Sequence, residues 1–431
     1  MQYIFIRQVS EHIGSNIVIK GWVTHIRHSG KLVFFEVRDG TGNIQCVAFK
    51  GDLDENTFIS ATKMTLETSI IVEGVIRQDN RSKIGYEVSV SFLKILHKPT
   101  EEYPISPKEH GTAFLFENRH LWLRSSRQEA ILKIRANVIK SARDFLDSQG
   151  FILFDTPILT PVACEGTTNL FETEYFDEKA YLTQSGQLYA EAGAMALGRV
   201  YTFGPAFRAE KSKTRRHLIE FWMVEPEAAF FDLENDMELA QHFVAYIVKK
   251  VVELNRNELE ILERDISKLD IIILPFPKIS YDEAIKILKK NKSTVKWGDD
   301  LGAEDETILS NEFEKPVMIH HYPAEIKAFY MKNDPEDNKY ALNFDMLAPE
   351  GCGEIIGGGQ REDDYDVLKN KIITHNLNID NFNWYLDLRK YGSVPHAGFG
   401  LGIERTIAWI CGLKHVRETI PFPRLLEKIW P

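Results

Sequence analysis

The sequence predicts an α+β protein, with a small N-terminal β-barrel followed by a larger domain in which helices flank an antiparallel sheet. Three observations predict it: short β-rich segments fill the first hundred residues, a long amphipathic helix follows, and the later strands lack regular strand–helix–strand alternation. We therefore predict a barrel domain at 1–98, a linker or hinge at 99–125 and a second domain at 126–431, with a helical segment at about 232–300.

The barrel is predicted from five segments rich in Val, Ile and Phe, namely IVIKGWVTHI, LVFFEVRDG, GNIQCVAFK, TSIIVEGVIRQ and YEVSVSFLKIL. Five such strands suit an OB-type barrel. Alternation along LVFFEVRD places Val33, Phe35 and Val37 on one face and Phe34 on the polar face. Phe34 is then either a partly exposed ring under a loop or a platform on which an unpaired base stacks, and Gln45 in the next strand could read that base.

The second domain opens with a predicted helix over 128–150, whose apolar positions recur at helical spacing up to Gly150. FILFDTPILT then indicates one strand interrupted by Pro157, which belongs at a sheet edge or bulge. Further strands are predicted in AYLTQS, RVYTFGPAFRA, EFWMVEPEAAF, KYALNFDML and GEIIGGG.

Composition and charge limit the function classes. The net charge of −11 argues against indiscriminate nucleic-acid binding, but residues 1–100 contain 12 Lys and Arg against 10 Asp and Glu, leaving 40 against 53 elsewhere. A mildly basic N-terminal segment permits a specific polyanionic partner. No apolar run of about 18 residues or signal peptide is evident, and the four cysteines form no CxxC pair. We therefore expect a cytoplasmic protein without a membrane span, structural zinc or a disulfide framework.

The densest basic cluster lies in FRAEKSKTRRHLIEFW, residues 207–222. Its charges sit between apolar ends, and a solvated hairpin tip is the simplest interpretation. Arg208 and Glu210, however, are two positions apart, so on an extended strand their side chains point to the same face. They could then hold a phosphate and an exocyclic amine of one nucleotide. His217 and Phe221 on the returning strand would then add a polyphosphate contact and a stacking face for a purine.

A second cluster lies in NFDMLAPEGCGEIIGGGQRE, where a Pro/Gly turn separates Asp345 from Glu354. Two carboxylates so placed form either a solvated turn or a Mg²⁺ site in which the metal also bridges substrate phosphates. The glycines at 357–359 remove side chains from the next strand, as expected where a ligand approaches the backbone. Arg361 lies just beyond them and can bind a small polar group.

A third cluster, HAGFGLGIERTIAWICG at 396–412, indicates a glycine-rich strand that leads into a helix. Arg405 then lies in the first turn of that helix, where both the helix N-terminus and the guanidinium favour an anion such as a polyphosphate. A dinucleotide-binding loop is disfavoured because no βαβ unit surrounds these glycines.

Together and in this order, these elements resemble the class II aminoacyl-tRNA synthetases of the aspartate, asparagine and lysine subgroup, and look most like an archaeal-type asparaginyl enzyme. The helix running into Pro157 resembles motif 1, FRAEKSKTRRHLIEFWMVEPE resembles motif 2 and GFGLGIER resembles motif 3. The resemblance covers nearly the whole chain. It implies an anticodon-binding OB barrel, a class II catalytic domain, a homodimer, Mg²⁺ as cofactor, and ATP, L-asparagine and tRNA(Asn) as partners.

The resemblance also implies roles for the matching residues. Arg208 would bind the ATP α-phosphate, Glu210 the adenine amino group and Arg405 the γ-phosphate. Phe221 would stack on adenine and His217 would lie near the outer phosphates. The catalytic residues would be Arg208, Arg405 and Glu354. The further implied assignments are Arg216 and Leu218 for ATP; Asp345 and Glu354 for Mg²⁺; Glu165, Ser185, Gln187, Glu191 and Arg361 for the amino acid; Phe34, Gln45 and Arg27 for the anticodon; and Pro157 for the dimer interface.

The choice between asparagine and aspartate depends on the segment after Gln187. Aspartyl relatives place a Lys three residues after this Gln, where its charge pairs with the β-carboxylate, whereas this chain has Ala190 and then Glu191. Losing a cation and gaining an anion favours a carboxamide by several kcal/mol, since two unit charges ~4 Å apart interact by about 4 kcal/mol at an intermediate dielectric constant. Arg361 can donate to the carboxamide oxygen. The resemblance thus implies an asparagine–tRNA ligase.

Three alternatives stay open. An aspartyl enzyme, including one that charges both tRNAs, is disfavoured by Ala190 and Glu191. An asparagine-synthesising relative that transfers an aspartyl group to ammonia needs no anticodon reader, so Phe34 and Gln45 argue against it. A catalytically inactive RNA-binding relative should have lost some of the motif arginines and carboxylates, and these are present.

Overall fold

The computed structural model describes residues 2–82, 84–161, 170–212 and 214–430. The chain divides into two compact units, Met1–Leu115 and Phe116–Pro431. Part of the predicted linker, residues 112–122, is helical; the domain boundaries predicted at 98 and 125 stay predictions. Within the described ranges, no helix is both long and apolar enough to cross a membrane.

The first unit is a closed β-barrel. Its elements are β1 (Gln2–Tyr3), β2 (Asn16–Ser29), β3 (Leu32–Arg38), β4 (Asn43–Phe49), α1 (Glu55–Thr62), β5 (Ser69–Gln78) and β6 (Tyr86–His97). The strand order is β1-β2-β3-β4-β6-β5, and β2 also pairs with β5, which closes a ring of five strands. The predicted OB-type barrel is therefore confirmed. Val33, Phe35 and Val37 are buried in its core, whereas Phe34 on the opposite face is half-buried, as the alternation predicts.

The remaining helices and strands build the second unit and the segment that precedes it. The helices are α2 (Thr112–Glu117), α3 (Arg119–Trp122), α4 (Ser126–Ser148), α5 (Gln187–Leu197), α6 (Leu233–Leu254), α7 (Arg256–Ile261), α8 (Ser267–Asp270), α9 (Tyr281–Lys290), α10 (Ala303–Asn311), α11 (Tyr365–Thr374), α12 (Asn383–Lys390) and α13 (Ile403–Ile410). The strands are β7 (Ile152–Leu153), β8 (Leu159–Thr160), β9 (Glu172–Tyr175), β10 (Glu178–Leu182), β11 (Arg199–Phe207), β12 (Glu220–Ala229), β13 (Lys278–Ser280), β14 (Val317–His320), β15 (Asn343–Ala348), β16 (Gly353–Gln360) and β17 (His396–Gly402). The helix-rich character predicted for 232–300 is confirmed by α6 to α9.

An eight-stranded sheet in the order β13-β14-β15-β16-β17-β12-β11-β7 forms the centre of the second unit. Its pairs are antiparallel except at the two ends, where β13 pairs with β14 and β7 with β11 in parallel. This confirms the predicted antiparallel sheet flanked by helices. The prediction of one interrupted strand in FILFDTPILT is wrong: β7 joins the large sheet, whereas β8 joins a separate sheet with β10 and β9. Pro157 lies between them and has no N–H to continue a ladder.

Helix α4 packs against α6 on this sheet. The Ser125 side chain caps α4 by accepting from the Gln128 N–H at 3.3 Å, and Gly150 follows the helix with φ 79°, a conformation that suits glycine. The apolar face predicted for this helix is buried, and the ring of Phe145 lies 5.5 Å from that of Phe243 in α6. The helix of motif 1 thus packs into the core.

The strand order explains how segments more than a hundred residues apart meet. Strands β12, β17, β16 and β15 are neighbours in the middle of the sheet. Met223 pairs with Gly402, and Gly357 pairs with both Gly400 and Asp345. All three sequence clusters therefore lie side by side on one sheet.

Candidate functional site

The connection between β11 and β12, residues 208–219, carries the basic cluster; we call it the motif 2 loop. Ala206 pairs with Phe221, and the Arg208 N–H donates to the Ile219 carbonyl at 2.9 Å, so the ladder continues into the loop. The Arg208 guanidinium carbon lies 5.4 Å from the centre of the Phe221 ring, within the range of a cation–π contact. The structure thus brings a guanidinium group and an aromatic ring together.

Two neighbouring cavities open at this loop and share Arg208, His217 and Leu218. The first has a volume of about 250 Å³ and also contains Glu210, so Arg208 and Glu210 face one space as their shared parity predicts. The second is lined in addition by Arg216, Phe221, Met223, Glu354, Ile355, Gly400, Gly402, Glu404, Arg405 and Val416. The motif 2 and motif 3 arginines and one acid of the second cluster therefore meet at a single site.

His217 lies among positive charges in this site. Its Nδ1 is within hydrogen-bond distance of Thr214 Oγ1. Burial, followed by the charges of Arg405 and Arg208, lowers the pKa of His217. The imidazole is consequently neutral near pH 7, and it offers a hydrogen bond rather than a charge.

Arg405 lies in the first turn of α13, as predicted, and holds Glu354. Its Nη1 donates to the Glu354 carbonyl at 3.0 Å and to Glu354 Oε2 at 3.1 Å. Burial opposes ionisation of Glu354, but Arg405 and Arg208 outweigh that effect and lower its pKa. Glu354 is thus a carboxylate at neutral pH.

Asp345 and Glu354 both lie close to Gly357, and in each a basic side chain binds one carboxylate oxygen. Lys327 Nζ lies 2.9 Å from Asp345 Oδ2, while Arg405 binds Glu354 Oε2. The other oxygens face each other: a Cβ on Gly357 would lie 3.0 Å from Glu354 Oε1 and 3.5 Å from Asp345 Oδ1. Each carboxylate therefore directs one oxygen into the space that Gly357 leaves open.

The three consecutive glycines at 357–359 in β16 have different functions, which corrects the expectation that all of them admit a ligand. Gly357 opens toward the two carboxylates, whereas a Cβ on Gly358 would lie 2.5 Å from Phe399 Cβ, and one on Gly359 would lie 2.5 Å from the Leu342 carbonyl oxygen. Gly358 and Gly359 are needed for packing within the protein, and Gly357 alone leaves room beside the acids.

Arg216 is not available for the direct ATP contact that the resemblance implies. Its Nη1 donates to Glu306 Oε2 at 2.9 Å and to the Ala303 carbonyl at 3.1 Å. Its Nη2 donates to Thr307 Oγ1 at 2.5 Å and to the Gly351 carbonyl at 2.6 Å. Both terminal nitrogens already have protein acceptors.

Glu191 is fully buried and both of its oxygens are occupied. Tyr385 Oη lies 2.7 and 2.8 Å from them and has one proton to donate, Arg389 Nη2 lies 2.6 Å from Oε2, and His396 Nε2 lies 3.0 Å from Oε2. Burial opposes ionisation, but Arg389 and His396 outweigh it and lower the pKa of Glu191. Both oxygens of Glu191 thus have partners within the protein, and the direct contact of Glu191 with the amino acid stays a prediction.

Arg361 is also buried and forms a two-point ion pair. Its Nε and Nη2 lie 3.1 and 2.9 Å from the two carboxylate oxygens of Glu227, while its Nη1 meets only the Met331 sulfur at 3.8 Å. A Cβ on Gly398 would lie 2.3 Å from Glu227 Oε2, so this glycine makes room for the pair. Nη1 is thus the group of Arg361 that is left to bind a small polar ligand.

Glu191, Glu227 and His396 are close enough to hold a metal ion, and they are the sole group of three such residues among those described. The guanidinium groups of Arg389 and Arg361 already pair with the two acids. We therefore interpret this cluster as a balanced charge network rather than a metal centre.

Two other predicted amino-acid contacts, Ser185 and Gln187, form hydrogen bonds with neighbouring side chains. Ser185 Oγ donates to Glu225 Oε1 and accepts from the Gln187 N–H at 3.0 Å. Gln187 Nε2 donates to Glu191 Oε1 at 3.2 Å. Ala190 lies in a small apolar cluster with Ala194 and Val200. Glu165, the remaining predicted contact, lies outside the described residues.

Sequence reasoning missed several residues of this network, namely Glu225, Glu227, Glu306, Lys327, Tyr385, Arg389 and His396. A signal for two of them was present in EFWMVEPEAA, where Glu225 and Glu227 share one face of a strand that is otherwise largely buried. Carboxylates inside such a strand require partners. No comparable signal marks Arg389 or Tyr385, which lie about 200 residues from Glu191.

The barrel brings its three predicted anticodon residues onto one face. Arg27 pairs with Phe34 across β2 and β3, and its guanidinium carbon lies 4.9 Å from the centre of the Phe34 ring. Gln45 is on the adjacent strand and donates from Nε2 to Glu87 Oε2 at 3.0 Å. This bond fixes the amide and leaves its carbonyl oxygen, so the face offers a half-buried ring, a cation and an oriented acceptor.

Pro157 lies in an exposed apolar segment. The surrounding side chains of Ile152, Leu153, Ile158 and Leu159 are between 37% and 48% exposed. Consecutive exposed aliphatic side chains are unusual on the surface of a monomer. Residues 152–159 thus have the character of an interface.

The chain is similar to known proteins over its whole length. The family of class II tRNA synthetases (D, K and N) matches residues 112–426, and the OB-fold nucleic acid binding domain matches residues 17–96. The asparagine–tRNA ligases of Sorangium cellulosum and Desulforamulus reducens are each 56% identical to this chain, with 98% and 100% of both chains covered.

A solved structure, the asparaginyl-tRNA synthetase of Pyrococcus horikoshii complexed with asparaginyl-adenylate, superposes with a TM-score of 0.96 at 45% identity and covers 99% of each chain. The family match spans well over half of the chain, and the curated relatives exceed half identity at full coverage. Together with the geometry of the site, these findings identify the family. The chain belongs to the class II aminoacyl-tRNA synthetases of the aspartate, lysine and asparagine group, and within that group to the asparagine–tRNA ligases.

Proposed function

We propose that the protein activates L-asparagine with ATP and transfers the asparaginyl group to the 3′ end of tRNA(Asn). The observation that carries this proposal is the meeting of Arg208, Phe221, Glu354 and Arg405 at one site, with the buried Arg361–Glu227 pair farther along strand β12, which also carries Phe221. Arg208, Phe221, Glu354 and Arg405 suit a nucleoside triphosphate. The Arg361–Glu227 pair suits a small polar side chain.

ATP is proposed to bind with its adenine on Phe221 and its phosphates between Arg208 and Arg405. Glu210 faces the same cavity as Arg208 and would accept from the adenine amino group, with Leu218 as an apolar wall. His217 would donate to the outer phosphates.

Mg²⁺ fits the space over Gly357. Hard cations prefer carboxylate oxygens, and Asp345 Oδ1 and Glu354 Oε1 border this space while Lys327 and Arg405 bind the other oxygen of each acid. When bound there, Mg²⁺ would neutralise charge on the phosphates. The protein's own residues would fix the position of both acids.

A Gly357→Ala substitution tests the Mg²⁺ site. The new methyl group would lie 3.0 Å from Glu354 Oε1, so we expect the Mg²⁺ concentration for half-maximal activity to rise by roughly tenfold as the coordination space is crowded. The measurement is a Mg²⁺ titration of asparagine-dependent ATP–pyrophosphate exchange. Gly204→Ala is the control, because a Cβ there meets nothing within 4 Å; an equal shift in both variants would contradict the site.

Asparagine selectivity is proposed to depend directly on Arg361 and indirectly on Glu191. Arg361 Nη1 would donate to the carboxamide oxygen, and Glu227 holds the guanidinium in place. Glu191 and its partners Arg389 and His396 contribute to the electrostatic environment of the Arg361–Glu227 pair. In this arrangement the contribution of Glu191 to selectivity is electrostatic, rather than a hydrogen bond to the substrate.

The reaction is proposed to proceed in two steps. A carboxylate oxygen of asparagine attacks the α-phosphorus of ATP in line, the new P–O bond forms, and the bond to the β-phosphate breaks to release pyrophosphate. The terminal ribose hydroxyl of tRNA then attacks the acyl carbon, the ester forms and AMP leaves with the bonding electron pair. No side-chain nucleophile is required: Arg208 and Arg405 stabilise the negative charge that develops on the phosphates.

The proposed function is tested by ATP–pyrophosphate exchange with asparagine and aspartate in parallel. We expect exchange with asparagine, little with aspartate, and loss of exchange when EDTA removes Mg²⁺. Equal or greater exchange with aspartate would favour the aspartyl alternative. Formation of free asparagine from aspartate and ammonia would favour the asparagine-synthesising relative, and absence of exchange would favour the inactive one.

The barrel is proposed to bind the anticodon through Phe34, Arg27 and Gln45. We expect Phe34→Ala to raise the KM for tRNA by about tenfold, since stacking contributes ~1–3 kcal/mol per base. Aminoacylation at varied tRNA concentration measures this, and pyrophosphate exchange should be unchanged. Phe92, a more exposed phenylalanine on β6 of the barrel, provides the control; an equal effect of Phe92→Ala would contradict the proposed site.

A homodimer and a cytoplasmic location complete the proposal. The exposed apolar residues around Pro157 support a subunit interface, as expected of motif 1. Sedimentation at twice the chain mass of 49.6 kDa would agree with the dimer, and a purely monomeric protein would contradict it.

A further inference from the structure

Helix α10 contacts the motif 2 loop through the side chain of Arg216. This helix lies at Ala303–Asn311, outside the three motifs, and residues 303, 306 and 307 share one face because they are three and four positions apart. That face binds Arg216 of the motif 2 loop: Glu306 and the Ala303 carbonyl accept from Nη1, and Thr307 accepts from Nη2. We call these contacts, together with the Gly351 carbonyl, the Arg216 anchor.

The anchor also reaches the carboxylate site. Glu306 Oε2, the atom that binds Arg216, accepts from the Glu354 N–H at 3.1 Å. A Cβ on Gly353, whose φ is 79°, would lie 2.3 Å from Glu306 Oε2 and 2.5 Å from Arg216 Nη1. Glycine at 353 thus permits one oxygen to join the motif 2 loop to the start of β16.

We propose that Glu306 is a positioning residue that, through Arg216, holds the motif 2 loop in the conformation that binds ATP. The proposal deepens the function assigned above and rests on it. Arg216 has acceptors for both terminal nitrogens, so it contributes by fixing the chain next to His217 and opposite Arg208. The geometry gives α10 the function of a support for the nucleotide site.

This arrangement predicts an effect on ATP binding rather than on the chemical step. The anchor already holds Arg216 before ATP arrives, so binding does not have to fix this part of the chain. Loosening the loop removes affinity that is the same in the ground state and the transition state, which raises KM and leaves kcat unchanged. The asparagine pocket, built around Glu227 and Arg361, does not include the anchor.

The test uses Glu306→Ala, Glu306→Gln, Arg216→Met and the milder Thr307→Val in the full-length protein. We expect Glu306→Ala and Arg216→Met to raise the KM for ATP in pyrophosphate exchange by about tenfold, with kcat and the KM for asparagine within roughly twofold. Glu306→Gln keeps an acceptor oxygen and should restore most of the affinity. The double variant Glu306→Ala/Arg216→Met should be no worse than either single variant, because both remove one interaction.

Glu304→Gln is the matched control, because Glu304 is an exposed acid in the same helix. Limited trypsin digestion provides a readout independent of catalysis: cleavage after the exposed Lys211 and Arg215 should be faster in Glu306→Ala and Arg216→Met than in the unmodified protein or in Glu304→Gln. ATP should slow it in the unmodified protein.

An unchanged KM for ATP, or equal rises in the KM for ATP and for asparagine, would overturn the proposal. If Glu306→Ala fails to fold, Thr307→Val decides the question, since it removes one acceptor of Arg216 and leaves Glu306 in place. The two levels of inference are distinguishable. Absence of asparagine-dependent exchange in the unmodified protein contradicts the proposed function, whereas tryptic cleavage still reports whether the anchor holds the loop.

Discussion

Replacing Arg208 by alanine is expected to lower asparagine-dependent ATP–pyrophosphate exchange by about 10²–10³-fold, because one preorganised donor to the charge that develops at phosphorus is removed. The same change removes the guanidinium that lies over Phe221. The measurement is kcat/KM in the exchange assay, with circular dichroism and thermal unfolding to show that the protein stays folded.

Two further variants refine this prediction. Arg208→Lys keeps the charge but not the two-point geometry of a guanidinium, so it should remain strongly impaired. Lys211→Ala in the same loop should be close to normal, because Lys211 is exposed. Near-normal exchange by Arg208→Ala would contradict the proposed binding of the α-phosphate.

Removing Arg361 is expected to affect both stability and substrate binding. Arg361→Met leaves Glu227 as a buried carboxylate without its partner, and breaking such a pair costs about 3–5 kcal/mol of unfolding free energy. It also removes the proposed donor to the carboxamide oxygen. Urea unfolding measures the first effect, and asparagine-dependent exchange measures the second.

The double variant Arg361→Met/Glu227→Leu separates the two effects. Replacing both members of a buried ion pair by apolar residues is often nearly neutral, so stability should largely return while asparagine activation stays lost. Recovery of activity together with stability would show that Arg361 supports the fold without binding the substrate. Loss of activity at full stability supports its role in selectivity.

The sequence was most informative where local pattern and chemistry coincide. Alternation predicts that Val33, Phe35 and Val37 face the barrel core and that Phe34 does not, because side chains alternate along any strand. Shared parity likewise predicts that Arg208 and Glu210 face one cavity. These are properties of single strands and need no knowledge of the fold.

The sequence was least informative where a residue's partners are distant in the chain. From the sequence, Glu191 is predicted to be an unpaired carboxylate close to Gln187. In the structure, its oxygens have Tyr385, Arg389 and His396 as partners. The resemblance implies that Arg216 is an ATP ligand, but Glu306 in α10, ninety residues farther along the chain, binds it. No local pattern shows whether a charge is already paired.

The sequence by itself determined the fold class, the order of the three motifs and the residue types that can bind ATP, Mg²⁺ and RNA, because strand alternation, helical periodicity and side-chain chemistry are local properties. Only the tertiary structure decided which of these side chains remain available to a substrate. The arrangement of β15, β16, β17 and β12 places carboxylates and arginines from distant segments within hydrogen-bond distance. Hydrogen bonding is saturable, so a partner supplied by a distant segment changes what a residue can do.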